Sequence, residues 1–257
     1  MLTGDVKGLR VQIFADGAEL PGIVEMSRNP LIKGFTTNPT LMRRAGISDY
    51  REFARAVLLA VPGRPVSFEV FSDDFAEMEE QAHEIASWGD NVNVKIPVTN
   101  TRGEFSGALI QRLARTGVHI NVTAVMTTGQ VGQILECLPR EAKAFISVFA
   151  GRIADTGRDP VPLMAAAIEL LRPFPNAQLI WASPRELLNV FQADAVGCHI
   201  ITATNDLLAK LPVVGKELLA YSLETVQMFR RDAVQAGFTI ETPKARGMSA
   251  VGPPRKR

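Results

Sequence analysis

Three histidines and two cysteines are few for a chain of 257 residues, and their placement removes most metal and thiol chemistry. Cys137 and Cys198 cannot make a disulfide framework and read as free thiols in a reducing compartment. His83 falls inside a stretch with helical spacing, while His119 and His199 fall at the beginnings of apolar runs. No zinc cluster and no Ser-His-Asp or Cys-His arrangement can be built from them. There is no G-x-G-x-x-G after the first apolar run and no P-loop. No run approaches about 18 apolar residues, and the opening MLTGDVKGLR has no apolar stretch. Neither a membrane span nor a secretory leader is expected, and a cytoplasmic protein is. Net charge is only +1, and five bases in 241–257 (Lys244, Arg246, Arg255, Lys256, Arg257) face the single acid Glu241. The rest of the chain is therefore mildly acidic, which is not the footprint of a nucleic-acid binder. The Pro- and Gly-rich end, 241–257, reads as a flexible basic tail.

What the sequence does contain is alternation. Short apolar runs at 11–17, 34–38, 65–71, 91–98, 118–126, 144–150, 178–183 and 198–204 read as eight strands. Helical spacing lies between them at 49–61, 73–88, 103–116, 128–137, 160–172 and 184–194; the connection from first to second strand is short and unassigned. After the eighth strand come 205–211 and a long amphipathic helix over 215–236. Strands alternating with helices predict an α/β fold with a parallel sheet. Eight such units in a chain near the roughly 250 residues typical of the fold favour a closed (β/α)₈ TIM barrel over an open doubly wound sheet. A single catalytic domain is expected over 1–240.

In such a barrel the reacting groups gather at the C-terminal ends of the strands. Those ends carry Asp16, Asn38 locked by Pro39, Glu69, Lys95, Thr123, Ser147 and Phe149, and Ser183, with Arg152 and Arg185 on the following loops. Lys95 stands in NVNVKIPV, otherwise apolar around the amine. Burying an ammonium favours its neutral form, which is a nucleophile for carbonyl carbon. Two other readings fit a lysine in this place: snorkelling at a strand end, or pairing with Glu69 or Asp16. Lys33, in PLIKGF, falls at a strand start and does not compete. Arg185 fits a surface salt bridge as well as an anion site.

Four ordered blocks, GFTTNPTLM (34–42), NVKIPVT (93–99), NVTAVMTTGQ (121–130) and ISVFAGRIAD (146–155), resemble the transaldolase family, which includes the fructose-6-phosphate aldolases. The likeness spans 11–240. It implies a class I aldolase barrel that needs no metal or other cofactor and acts on ketose and aldose phosphates. By motif, Lys95 would form the Schiff base and Asp16 would be the acid/base at the C4 hydroxyl. Gly17 departs from the family's small hydroxyl residue after that Asp. Glu69 and Thr123 would hold a catalytic water, and Asn38 would bind hydroxyls of the retained three-carbon unit. Arg152, Ser183 and Arg185 would bind phosphate. Glu69 and Phe149 match the transaldolases, where the aldolases tend to have Gln and Tyr. The resemblance therefore implies transfer over release. A transaldolase of the pentose phosphate pathway and one serving an unusual acceptor both remain open. So do an aldolase-type lyase and, from a different class, a non-catalytic sugar-phosphate-binding barrel. A homo-oligomer, pentamer or decamer, is also implied, by docking of the 215–236 helix on a neighbour; that helix could equally cover its own barrel. Met126 and Thr127 have no evident role.

Overall fold

Alternating side chains decide which face of each strand meets the helices. In the fourth strand Val92, Val94 and Ile96 are buried in the main apolar cluster, whereas Asn93 and Lys95 face the other way. Each aliphatic side chain buried this way stabilises the fold by about 1.5–3 kcal/mol. The computed structural model describes residues 6–242. Its elements are β1 (Gln12–Asp16), α1 (Leu20–Ser27), β2 (Ile32–Thr36), α2 (Pro39–Arg44), α3 (Tyr50–Ala60), β3 (Val66–Glu69) and α4 (Phe75–Ala86). There follow β4 (Val92–Pro97), α5 (Gly107–Arg115), β5 (Ile120–Val125), α6 (Thr128–Cys137), β6 (Ala144–Val148), α7 (Ala150–Ala154) and α8 (Val161–Leu171). The last are β7 (Ala177–Trp181), α9 (Leu188–Ala195), β8 (Ile200–Thr204), α10 (Asn205–Leu208) and α11 (Leu218–Gln235). All eight strands are parallel and follow chain order, and β1 pairs with β8 to close the barrel, as the alternation predicts.

Two compact units are distinguished, one ending at Val214 and one beginning at Gly215. The first is the barrel. The second contains α11, capped by the Glu217 carboxylate on the amides of Leu219 and Ala220. Most of the expected basic tail lies outside the described residues.

The second strand ends two residues before its expected limit. Asn38 leaves the sheet because its side chain caps α2, accepting from the Leu41 amide, and Pro39 takes the first helical position. Lys33 lies within β2, exposed, and donates to the Pro30 carbonyl. Helix α6 matches its predicted limits, held by a Thr127–Gln130 capping box. That box gives Thr127 its role; Met126 contributes the amide that Gln130 also binds.

Inside the barrel the filling is lopsided. Phe14, Ile180 and Ile200 form an apolar cluster on the β1, β7 and β8 side, with Phe145 edge-on to Phe14 at 6.0 Å. Gly34 makes room for it, since a β-carbon there would sit 2.5 Å from the Phe14 ring. Across β3, β5 and β6 the filling is polar. Ser147 donates to Asn121 Oδ1 at 2.7 Å, and Asn121 donates to Ser67 Oγ at 3.1 Å.

Candidate active site

Lys95 sits where β4 opens toward the C-terminal mouth, with 6% of its surface exposed. Its apolar neighbours in sequence, Val94 and Ile96, point outward to the helices, so the nitrogen does not meet the dry surroundings that NVNVKIPV suggests. Instead Nζ donates to Glu69 Oε2 at 2.7 Å and to the Thr37 carbonyl at 2.9 Å. The register of the sheet produces this pair, because Glu69 on β3 lies opposite Lys95 on β4. Such a charge-assisted bond is short and directional. Of the readings open for Lys95, pairing with Glu69 is the one realised at rest, within reach of proton exchange.

Asp16 stands at the end of β1. The Thr36 hydroxyl donates to its Oδ1 at 2.7 Å, and Asn38 Nδ2 donates to Oδ2 at 3.4 Å. Thr36 Oγ1 also lies 2.5 Å from Thr202 Oγ1. A hydroxyl has one proton, so while Thr36 gives its own to Asp16, Thr202 must donate to Thr36. Burial pushes the Asp16 carboxyl above its ordinary 3.8; the Thr36 bond and the Lys95 charge pull it back, Glu69 pushes it up, and Asn38 pulls it down. A raised carboxyl is a stronger base than a free aspartate and is more readily protonated, which suits acid–base work.

Strand β5 brings in Thr123 by an irregularity. Its pairing with β6 breaks between Val122 and Val125, and Ala124 takes a left-handed φ of 63°. Thr123 Oγ1 is buried and has no hydrogen-bond partner in the protein, so it is available to a substrate hydroxyl or a water. Ser147 reaches the same space, although its hydroxyl is engaged by Asn121. Phe149 lies just past β6, beginning α7, with the Arg152 guanidinium 5.6 Å from its ring centre.

These side chains line one cavity of about 450 Å³, large enough for a sugar phosphate. Its rim carries Arg152, Ser183 and Arg185, as expected, and also Arg44 of α2, which the sequence reading did not single out. Arg185 is held by Asp155 through Nε at 2.9 Å and Nη2 at 2.5 Å, so the surface salt bridge foreseen for it exists. That pairing holds Asp155 below the usual carboxylate range, chiefly through the hydrogen bond from Arg185. Gly151 lets the loops after β6 and β7 touch. A β-carbon there would fall 1.4 Å from the Ser183 carbonyl oxygen, and Ser183 is itself left-handed at φ 59°. Position 17 has open space around it, so Gly17 leaves Asp16 to rely on Thr36 and Asn38.

A second cavity of about 450 Å³ opens at the opposite, N-terminal face, lined by Asn93, His119, Lys143, Phe145 and Gln178 among others. Among the described residues, no group of three or more His, Cys, Asp or Glu is arranged to hold a metal ion, and no helix is long and apolar enough to cross a membrane.

Sequence reading missed Thr36, Thr202 and Thr37 as parts of the site. TTNP contains two of them, but the hydroxyl chain to Asp16 joins positions 166 residues apart and leaves no local pattern.

Known proteins carry related sequences and the same fold. A family described as "Transaldolase/Fructose-6-phosphate aldolase" matches residues 13–245. A "Probable transaldolase" of Dehalococcoides mccartyi is 35% identical over 202 residues, covering 78% of this chain and 90% of that protein. Another, of Maridesulfovibrio salexigens, is 32% identical over 220 residues, covering 83% and 97%. Among solved structures, 2,3-dimethylmalate lyase, a PEP mutase/isocitrate lyase superfamily member, aligns with a TM-score of 0.50 at 13% identity, over 93% of this chain and 89% of that one. That likeness concerns the barrel alone. With the matched region running from β1 past α11, and with Asp16, Glu69 and Lys95 at the ends of β1, β3 and β4 around one cavity, the chain belongs to the transaldolase/fructose-6-phosphate aldolase family.

Proposed function

We propose that this protein is a transaldolase, moving a dihydroxyacetone unit from a ketose phosphate to an aldose phosphate through a Schiff base on Lys95. The observation that carries the reading is the Lys95–Glu69 contact of 2.7 Å within the cavity that Asp16 also lines. Glu69 takes a proton from the Lys95 ammonium, and the freed amine attacks the C2 carbonyl carbon. The carbinolamine loses its hydroxyl as water, with Glu69 returning the proton and Thr123 holding the departing oxygen. The iminium that results draws electrons from the C3–C4 bond. Asp16, as carboxylate, removes the C4-hydroxyl proton; the bond breaks, an aldose phosphate leaves, and an enamine remains on Lys95. A second aldose phosphate binds, the enamine carbon attacks its aldehyde, and Asp16 returns the proton to the new hydroxyl. Water then adds to the iminium and releases the new ketose. Arg152, Ser183 and Arg185 hold the phosphate, and Asn38 meets the hydroxyls of the retained unit.

Transfer is favoured over release because Phe149 presents a phenyl ring, which has no proton to offer a water near the enamine. Borohydride treatment in the presence of fructose 6-phosphate tests the chemistry: a reduced adduct on Lys95 is expected, and no adduct, or one elsewhere, overturns it. Supplying erythrose 4-phosphate tests the transfer. Free dihydroxyacetone formed faster than transferred product would identify an aldolase-type lyase.

A homo-oligomer joined through α11 belongs to the same proposal. Leu219, Leu223, Val226 and Phe229 on that helix are all exposed, a pattern that favours association. Sedimentation of Phe229→Glu should then report smaller particles than the parent protein; unchanged size removes α11 from the contact.

A further inference from the structure

We propose that Tyr50 is a positioning residue for this reaction: its phenol takes the place of a missing strand and fixes Glu69 against Lys95. The inference rests on the Schiff-base reading above and goes beyond it to a residue outside the cavity.

In a parallel sheet the N–H and C=O of one residue point to one neighbouring strand, and those of the next residue point to the other. On β3, Val66 turns toward the β4 side, its amide donating to the Asn91 carbonyl, and the Val70 amide donates to the Lys95 carbonyl. Ser67 points the opposite way, its carbonyl accepting from the Thr37 amide. Glu69 must therefore also point its backbone toward β2. But β2 pairs only as far as Thr36 with Ser67, because the chain turns away at Asn38 to begin α2. Both backbone groups of Glu69 would face a strand that is no longer there. Orphaned buried peptide groups are costly, because each has given up its bond to water and gained none.

The Tyr50 hydroxyl fills that place. It accepts from the Glu69 amide at 2.7 Å and donates to the Glu69 carbonyl at 3.0 Å, closing both bonds with one atom. Phenylalanine could not do this. The ring is held at the first turn of α3 by Trp88, Phe68 and Phe71, with centres 5.3, 6.0 and 4.7 Å away. Burial and the Glu69 charge raise the phenol above its ordinary 10.0, against the opposing backbone bond, so it keeps the proton it donates. With its main chain clamped, Glu69 can turn only at its side-chain bonds, and its carboxylate stays at the Lys95 nitrogen.

Borohydride trapping measured as a rate separates this role from plain stability. Tyr50→Phe should slow adduct formation at Lys95 by roughly ten- to a hundredfold, the scale of a small misplacement of a reacting group, and lower kcat in parallel. KM for the phosphorylated substrates should hold. Trp88→Phe trims the same aromatic cluster while sparing the hydroxyl, and should trap at the parent rate. Equal trapping by Tyr50→Phe and the parent, or equal slowing by Trp88→Phe, overturns the role of the hydroxyl. If the parent itself gives no adduct at Lys95, the Schiff-base reading falls and the role of Tyr50 falls with it. Amide exchange in the unaltered protein needs no variant: the Glu69 amide should exchange slowly, and exchange at the rate of an open loop overturns the clamp.

Discussion

The two mouths of the barrel enclose cavities of the same size, about 450 Å³ each, yet their linings differ in kind. At the N-terminal mouth the amides of Asn91, Asn93, Asn176 and Gln178 stand among glycine, proline, alanine and phenylalanine, with Asp90, His119 and Lys143 contributed by the turns entering separate strands. At the C-terminal mouth an amine and a carboxylate touch, a second carboxyl is pushed upward by burial, and a hydroxyl stands unpartnered. Size does not tell the two apart. What does is coupling between groups that can exchange protons, and that coupling comes from strand register, which sets Glu69 opposite Lys95.

The sharpest way to break this contrast is to remove the amine. Lys95→Met should lower turnover by at least about 10³-fold and abolish borohydride trapping, since no other group at the cavity can form an imine. Appreciable remaining turnover would place the chemistry elsewhere. A smaller loss is expected from Gly151→Ala, whose new methyl group would collide with the Ser183 carbonyl. Its displacement of Arg152 and Ser183 should raise KM for phosphorylated substrates roughly tenfold, about 1.4 kcal/mol. An unshifted KM would mean that the loop pair does not hold the phosphate.

Thr36→Val sharpens the comparison through pH. Activity should fall on the acid side as Asp16 takes up a proton, because the carboxylate is the form that accepts the C4-hydroxyl proton. Burial already places that fall above the usual range, and the Thr36 hydrogen bond holds it partly down. Without that bond the acid limb of kcat/KM should move to higher pH while the plateau changes less. A limb that stays put, or moves down, would separate Asp16 from the proton step. The smallest effect belongs to the other mouth: Asn93→Ala with Gln178→Ala should change kcat/KM less than about twofold, well under the roughly tenfold that 1.4 kcal/mol represents. A large loss there would erase the distinction between the two ends.

Much of this arrangement is legible in the sequence because strands announce themselves by alternation and the barrel converts strand ends into neighbours. That ground places Asp16, Glu69 and Lys95 among the candidates at the strand ends, and the family resemblance gives Asp16 and Glu69 their roles. Three helices escaped notice: α2 has six residues and α7 has five, too few for a periodic signal, and α1, in the connection left unassigned, has Pro21 and Gly22 in its first turn. The pairing of Arg185 with Asp155, thirty residues earlier, depends on how two loops meet. Tyr50 reads as one more core aromatic at the start of a helix; only the early end of β2 gives its hydroxyl a purpose. Burial in an apolar stretch suggested an isolated amine for Lys95, but alternation sends that stretch outward and leaves the nitrogen with a carboxylate.

The irregular turn of β5 has a consequence for how the site could evolve. An alanine held left-handed costs about 1–2 kcal/mol relative to its relaxed shape, and glycine at position 124 would avoid that strain. Yet glycine would also let the strand straighten and swing Thr123 out of line. Lineages that swap this residue for glycine would be expected to harden against heat while their aim at the reacting carbon grows looser.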